Sequence, residues 1–195
     1  MSTLPHFPAF PMKVIGFSGL INSGKTTAAE ILVQHRGARR WSFADPLRGM
    51  LKTLLMCHYP EDQAENFLRR EKTVPLRPFG EKTARYLLQT LGTGWGRNMI
   101  MFNVWSETMR GRLESVRDQR ITIVVDDVRY QNETDVIKSM GGKIVRIDWE
   151  AAIPPTHDSD SQIIESDAVV SNNGSMADFE QSIIAAFDFF FNGVS

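Results

Sequence analysis

The sequence predicts a three-layer α/β domain in which helices cover both faces of a five-stranded parallel sheet. Short apolar runs alternate along the chain with segments whose apolar residues recur at helical spacing. The run ITIVV at 121–125 is β-branched throughout, which is typical of a buried strand. Strands that alternate with helices are joined by right-handed crossovers, and such crossovers make the strands parallel.

Local signals place each element of this core. Pro46 suits the first turn of a helix, because its missing N–H has no partner there. Gly141 and Gly142 suit the C-cap of the helix that precedes them. The strands are expected at 13–18, 39–44, 121–125, 143–148 and 167–171. The helices that alternate with them are expected at 24–35, 46–56, 130–140 and 175–191.

A helical insertion is expected at 58–116, after the second strand. Its first part, 58–80, is polar and broken by prolines, with room for a short helix near 61–70. Two longer helical patterns follow, at 81–92 and 97–116, and the glycine-rich GTGWG separates them.

One domain is expected over 13–195, because a chain of 195 residues can bury a single sizeable core. The proline-bearing stretch at 1–12 is expected to form an irregular arm. It lacks a basic start, so it does not resemble a signal peptide. The polar stretch at 150–166 is expected to form a lid-like loop.

Composition and charge argue against several classes of protein. A net charge of −1 argues against binding of polymeric nucleic acid by broad phosphate neutralisation. No apolar run approaches the roughly 20 residues of a membrane span. Cys57 is the only cysteine, so no disulfide can form within the chain and a reducing compartment is expected. These features favour a cytoplasmic protein, in the host cytoplasm if the chain is viral.

The stretch GLINSGKTT at 19–27 follows the first strand and opens the first helix. It matches the pattern G-x-x-x-x-G-K-[ST], a loop whose backbone N–H groups surround nucleotide phosphates. Lys25 would reach the β- and γ-phosphates, Thr26 would ligand Mg²⁺, and Thr27 is expected to pack or support the loop. The residues expected to bind the nucleotide are Gly19, Asn22, Ser23, Gly24, Lys25, Thr26 and Thr27.

This phosphate loop leaves the reaction open, and the rest of the sequence narrows it. A switch GTPase should carry an N/T-K-x-D motif, which the sequence lacks. A helicase or motor should be larger and should act on a polymer. A chain of this length with an insertion after the second strand fits a kinase for small molecules that uses a nucleoside triphosphate with Mg²⁺.

Two acidic residues follow the third strand, where the ligand sites of parallel sheets form. Either Asp126 or Asp127 should face the water shell of Mg²⁺, and we favour Asp126. Arg129 follows at a position from which it could reach the transferring phosphate, so Lys25, Asp126 and Arg129 are candidate catalytic residues. A solvated turn is the alternative for both acids.

Asp45 and Arg48 mark a candidate acceptor site at the end of the second strand. Asp45 could take the acceptor's proton or orient the acceptor, which makes it a further catalytic candidate. It could instead cap the helix that begins at Pro46, and one residue could serve both purposes. Arg48, one turn into that helix, would then face the same cleft.

The stretch RYLLQTLGTGWGRN at 85–98 is unusual for a purely structural helix. Trp95 could stack on a base, while Arg97 or Arg85 could hold a monophosphate. Gln89 offers both a donor and an acceptor to a base edge. The alternative is a turn between two helices that Trp95 packs.

The stretch VVSNNGS at 169–175 is a turn between the last strand and the last helix. Asn172, Asn173 and Gly174 could flank the purine of the donor. A plain turn in which Ser175 caps the last helix is the alternative.

The ordered set GLINSGKTT, FADPLR, LLQTLGTGWGR, DDVRYQNE and VVSNNGS resembles the phage-type deoxynucleoside monophosphate kinases, a branch of the P-loop nucleoside monophosphate kinase-like fold. The resemblance runs from about residue 13 to residue 185. It implies Mg²⁺-dependent transfer of the ATP γ-phosphoryl to a deoxynucleoside monophosphate, in DNA precursor synthesis. It also implies a homodimer, an acceptor-binding role for the insertion, and acceptor or transfer roles for Asp45, Trp95, Arg97 and Arg129.

One departure from the family pattern lies in the late loop. Similar sequences often carry H-x-S-E there, whereas this chain has His157, Asp158, Ser159 and Asp160, so the last acid is one carbon shorter. Two other functions fit the donor loop as well. One is a P-loop kinase for another small substrate, such as dephospho-coenzyme A, and the other is a non-catalytic nucleotide-binding module.

Overall fold

The computed structural model describes residues 12–151 and 164–193. Its strands are β1 (Lys13–Ser18), β2 (Arg39–Trp41), β3 (Pro75–Leu76), β4 (Lys82–Thr83), β5 (Thr122–Val125), β6 (Lys143–Asp148) and β7 (Ala168–Ser171). Its α-helices are α1 (Lys25–Arg36), α2 (Asp45–Leu55), α3 (Glu61–Arg69), α4 (Ala84–Gln89), α5 (Val104–Glu114), α6 (Gln131–Ser139) and α7 (Met176–Phe191). A π-helix, Thr90–Ile100, continues directly from α4.

The chain divides into two compact units. The sheet unit consists of Met1–Ser42 and Thr108–Ser195, and the insert unit is Phe43–Glu107. Most of the expected lid-like loop, and all but Met12 of the expected N-terminal arm, lie outside the described residues. None of the described helices is long and apolar enough to cross a membrane.

The sheet unit contains the predicted five-stranded parallel sheet, with the strand order β2–β5–β1–β6–β7. The central strand β1 pairs with β5 on one side and with β6 on the other, and both pairings are parallel. In register, Gly16 of β1 lies opposite Val125 of β5 and Ile144 of β6. All five strands therefore end at the same edge of the sheet.

Helices cover both faces of this sheet, which confirms the predicted three-layer α/β class. Ile15 and Phe17 of β1 belong to a buried core that also includes residues of α1 and α7. Gly16 faces the other way, where a Cβ would lie only 2.8 Å from Cδ1 of Ile137 in α6. A side chain at this position would require the methyl groups packed against Gly16 to move, so glycine permits the close packing of the third layer.

The insert unit has a core of its own. Leu51 and Leu55 of α2 pack with Phe67 and Leu68 of α3 and with Leu76 of β3. Because these contacts include α2, this helix groups with the insert unit, which begins at Phe43. The expected insertion began later, at residue 58.

The helical path through GTGWG differs from the prediction of a break there. The helix continues as a π-helix to Ile100, and the interruption falls at 101–103 instead. Trp105 explains why glycine is needed: a Cβ on Gly96 would overlap its indole ring, and its Nε1 donates a hydrogen bond to the Gly92 carbonyl at 2.8 Å. The glycines allow close packing on a tryptophan rather than ending the helix.

The ion pair between Arg36 of α1 and Asp188 of α7 should make stability depend on pH. Nε of Arg36 donates to Oδ1 of Asp188 at 3.0 Å, and this hydrogen bond holds the pKa of the Asp188 carboxyl below its usual range. A carboxyl whose pKa is lowered on folding stabilises the fold above its unfolded pKa of about 3.9. That stabilisation is lost as the pH falls through the folded pKa.

We therefore expect Asp188→Asn to lower the free energy of unfolding by about 0.5–1 kcal/mol at pH 7. The difference from wild type should shrink as the pH falls below about 4, as urea unfolding at several pH values would measure. Asp118→Asn is the matched control, because Asp118 is exposed and has no partner among the described residues. If Asp188→Asn lowers the free energy of unfolding by as much at low pH as at pH 7, this role for the ion pair is contradicted.

Candidate active site

The phosphate loop connects β1 to α1 through backbone conformations that favour glycine. Gly19 has a φ of 135° and Gly24, the N-cap of α1, has a φ of 107°. A side chain at either position would be strained. Asn22 also has a positive φ, 64°, which asparagine tolerates better than most residues. The motif glycines therefore stand where the backbone requires them.

Lys25, the first residue of α1, folds back over this loop. Its Nζ donates to the carbonyl of Gly19 at 2.7 Å and to that of Leu20 at 2.6 Å. The ammonium group thus adds its positive charge to the N-terminus of α1, where the helix dipole and the N–H groups of the first turn favour an anion.

Two buried hydroxyls at this loop lack a hydrogen-bond partner among the described residues. They belong to Ser18, the last residue of β1, and to Ser23, which is fully buried. An unpaired buried hydroxyl costs about 1–3 kcal/mol. Unpaired hydroxyls at a phosphate loop fit a binding site in which a polar ligand would supply the missing hydrogen bonds.

Asp126 lies beside the phosphate loop although it is distant in sequence. The hydroxyl of Thr26 lies 3.4 Å from Oδ2 of Asp126, across 100 residues of chain. Asp127 is directed elsewhere and accepts a hydrogen bond from the Ser42 hydroxyl. The structure therefore brings Asp126 to Thr26, the arrangement that the sequence favoured.

The chemistry of this pair fits magnesium. A hydroxyl and a carboxylate are the hard oxygen ligands that Mg²⁺ accepts, usually in small number and together with water and phosphate oxygens. Within residues 12–151 and 164–193, no group of three histidine, cysteine or acidic side chains gathers into a metal site. A magnesium ion held by Thr26 and Asp126 would take further ligands from phosphate oxygens and water, as Mg²⁺ usually does in nucleotide sites.

Arg40 of β2 is a member of the site that the sequence analysis missed. Its Nε lies 2.9 Å from the same Oδ2 of Asp126, and its NH1 lies 3.3 Å from Glu30. Asp126 is only 6% exposed, so the guanidinium compensates a carboxylate that is largely removed from water. No local pattern marks Arg40, because its position depends on the pairing of β2 with β5.

Arg129 is held by a second residue that the sequence analysis did not single out. The carboxylate of Glu133 accepts hydrogen bonds from the backbone N–H of Arg129, at 2.8 Å, and of Tyr130, at 3.2 Å. Glu133 is buried and lies at the third position of α6, where a glutamate can complete a capping box. In the sequence DDVRYQNE, a glutamate three residues after the N-cap Tyr130 was the signal that could have identified this role.

The turn after β7 contacts the phosphate loop through Asn172. Its Nδ2 donates to the carbonyl of Ser23 at 2.9 Å. The side chain of Asn173 instead accepts from the backbone N–H of Glu150, also at 2.9 Å. Ser175 caps α7 and its hydroxyl accepts from the N–H of Asp178. Gly174 lies beside the carboxyl of Asp178.

In the insert unit, Asp45 and Arg48 form an ion pair. The two groups are 2.9 Å apart, across one turn of α2. Asp45 is the first residue of α2, and Ala44 occupies the N-cap position without a side-chain bond. The structure therefore puts Asp45 one residue after the N-cap position that the capping alternative assigned to it. The carboxylate is instead paired with the arginine that follows it.

The remaining acceptor candidates lie on the continuous helix formed by α4 and the π-helix. Arg85 and Gln89 are exposed and one turn apart. Trp95 is partly exposed, and its ring centroid lies 6.2 Å from that of Trp105. Arg97 is mostly buried, and it donates to the carbonyl of Phe102 at 3.3 Å. π-helical turns are rare and often occur at functional sites.

Comparisons with known proteins bear on the family to which the chain belongs. A family model described as deoxynucleotide monophosphate kinase matches residues 76–183. A protein of Acanthamoeba polyphaga mimivirus, provisionally named a deoxynucleotide monophosphate kinase, is 33% identical over 195 residues, covering 91% of this chain and 97% of its own.

Solved structures of P-loop kinases share the fold. The shikimate kinase of Aquifex aeolicus is 13% identical, with a TM-score of 0.52 and coverage of 93% of this chain and 99% of that chain. The dephospho-CoA kinase of Campylobacter jejuni is 14% identical, with a TM-score of 0.51 and the same coverage. At these identities, the likeness shows the fold alone. The family match covers more than half of the chain and the viral relative aligns with most of it, so the chain belongs to the deoxynucleotide monophosphate kinase family.

Proposed function

We propose that this phosphotransferase moves the γ-phosphoryl group of ATP to a deoxynucleoside monophosphate, yielding ADP and the deoxynucleoside diphosphate. Family membership supports a nucleotide kinase. The observation that carries the proposal for the donor is the approach of Thr26 to Asp126, at 3.4 Å, beside a lysine-bearing phosphate loop. This is the set of groups that a magnesium–triphosphate complex needs.

On the donor side, the N–H groups at the start of α1 would bind the β-phosphate. Lys25 would exchange its bonds to the carbonyls of Gly19 and Leu20 for bonds to phosphate oxygens. Thr26 and Asp126 would hold Mg²⁺, which neutralises charge on the β- and γ-phosphate oxygens. Arg40 would keep the Asp126 carboxylate oriented toward the site.

On the acceptor side, we assign binding to the insert unit. Trp95 would stack on the base and Gln89 would bond to the base edge. Arg85 and Arg97 would hold the monophosphate, and guanidinium groups suit this because they bind phosphate through two parallel hydrogen bonds. The Asp45–Arg48 pair would orient the acceptor.

The nucleophile in this reaction needs little help from a base. A phosphate monoester loses its second proton with a pKa near 6, so its oxygen is largely deprotonated at pH 7. This oxygen attacks the γ-phosphorus while the bond to the β–γ bridging oxygen breaks. Asp45 is then an orienting group rather than a general base, and Arg129 stabilises the charge on the transferring phosphoryl group.

A kinase for dephospho-coenzyme A is a second candidate that shares the same donor site. The fold similarity to such an enzyme, at 14% identity, does not bear on the acceptor. The family match extends through the π-helix and Arg129, which supports the nucleotide acceptor.

A panel of acceptors tests the proposal directly. With ATP and Mg²⁺ present, we expect release of ADP to depend on an added deoxynucleoside monophosphate, as a coupled assay would measure. Ribonucleoside monophosphates and dephospho-coenzyme A complete the panel. Background ADP release with every nucleoside monophosphate would contradict the proposal. Turnover only with dephospho-coenzyme A would support the second candidate function instead.

Arg129→Ala tests the proposed transfer role. Its side chain is assigned to charge that develops in the transition state, so we expect kcat to fall about 10²–10³-fold while the Kd for ATP changes less than threefold. Steady-state kinetics and titration calorimetry would measure the two quantities. Arg117→Ala is the matched control, because Arg117 is an exposed arginine of the same unit. Loss of ATP affinity with unchanged kcat would show that Arg129 serves ATP binding rather than phosphoryl transfer.

A further inference from the structure

We infer that Asn172 is a positioning residue for the phosphate loop and that it acts on every triphosphate donor regardless of base. The inference rests on the proposed function, since it assumes that the loop binds a triphosphate. It replaces the expectation that Asn172 flanks the purine. Three features support this role: a hydrogen bond to the loop, the close approach of Gly24, and the hydrogen bond that holds the backbone of Asn172 itself.

The hydrogen bond fixes one peptide group of the loop. Nδ2 of Asn172 donates to the carbonyl of Ser23 at 2.9 Å, across 149 residues of chain. A peptide group is planar and trans, so a carbonyl and the N–H that follows it point in opposite directions. With the Ser23 carbonyl directed to Asn172, the N–H of Gly24 points away from Asn172. Asn172 therefore sets the direction of a donor at the start of α1.

The steric contact explains further why position 24 is glycine. A Cβ on Gly24 would lie 2.7 Å from Nδ2 of Asn172 and 3.4 Å from Cζ of Phe179. Phe179 is almost fully buried in the core beneath α7. The amide and the ring thus leave no room for a side chain at position 24, so the loop passes close to Asn172.

Asn172 is well suited to this role because its own backbone is held by the sheet. Its N–H donates to the carbonyl of Asp148 at 2.8 Å, which extends the pairing of β6 with β7 by one more bond. Ser175 caps α7 three residues later. The backbone of Asn172 is therefore held in place by the sheet, so its side chain can orient the loop.

The same contacts limit the role that Asn172 can have in reading the base. One N–H of its side-chain amide already donates to Ser23, so only the second N–H and Oδ1 could contact a purine, and the bond to Ser23 fixes where the amide lies. A group that orients the loop should instead affect the phosphates of every donor equally.

Direct binding measurements on the full chain separate these roles. We expect Asn172→Ala to weaken the binding of ATP, CTP and inorganic tripolyphosphate by the same factor, about tenfold, as titration calorimetry would measure. Asn172→Asp keeps the shape but has no N–H to donate, so its loss should be at least as large. Asn192→Ala is the matched control: its amide donates to Asp188 at the end of α7, and binding should be unchanged. Thermal unfolding of each variant checks that the fold is intact.

Three other outcomes of these binding measurements would contradict either the role of Asn172 or the proposed function. A loss confined to ATP, with tripolyphosphate unaffected, would overturn the inference in favour of base recognition. Wild-type affinity for all three ligands in both variants would overturn it outright. Failure of the wild-type protein to bind ATP and tripolyphosphate would instead overturn the proposed function on which the inference rests.

Discussion

The parallel pairing of β1 with its two neighbours is the constraint on which the donor site depends. β1 leads into the phosphate loop, β5 leads into Asp126, and the β6–β7 pair leads into Asn172. Each of these segments is far from the others in sequence. The shared register brings Thr26 to Asp126 and Ser23 to Asn172, so the site is a product of the sheet rather than of the motif alone.

The site also requires that buried charge be balanced. Asp126 is nearly removed from water, and a lone carboxylate there would be costly. Arg40 balances it and in turn contacts Glu30 on α1. The carboxylate of Glu133 is similarly buried, and it accepts hydrogen bonds from the backbone N–H groups of Arg129 and Tyr130, just before α6. These contacts hold the segment that carries Arg129 through backbone groups, without using the Arg129 side chain.

Much of the fold could be predicted from the sequence, because its signals are local. β-branched runs mark the buried strands, the glycines mark the phosphate loop, and the acids after β5 mark the carboxyl edge. The role of Arg40 could not be predicted, because nothing local says that β2 lies beside β5. The contact between Asn172 and Ser23 is hidden for the same reason. GTGWG was misjudged because glycine both ends helices and permits close packing, and only Trp105 decides between the two.

We propose that the γ-phosphoryl group of a triphosphate bound at this edge of the sheet passes to a nucleotide. The most direct measurement follows that group, using ATP labelled with ³²P at the γ-position together with Mg²⁺ and a deoxynucleoside monophosphate. The label is predicted to appear in the deoxynucleoside diphosphate, in equal amount to the ADP formed. Label that is released only as inorganic phosphate, or that remains in ATP with every deoxynucleoside monophosphate, would contradict the claim.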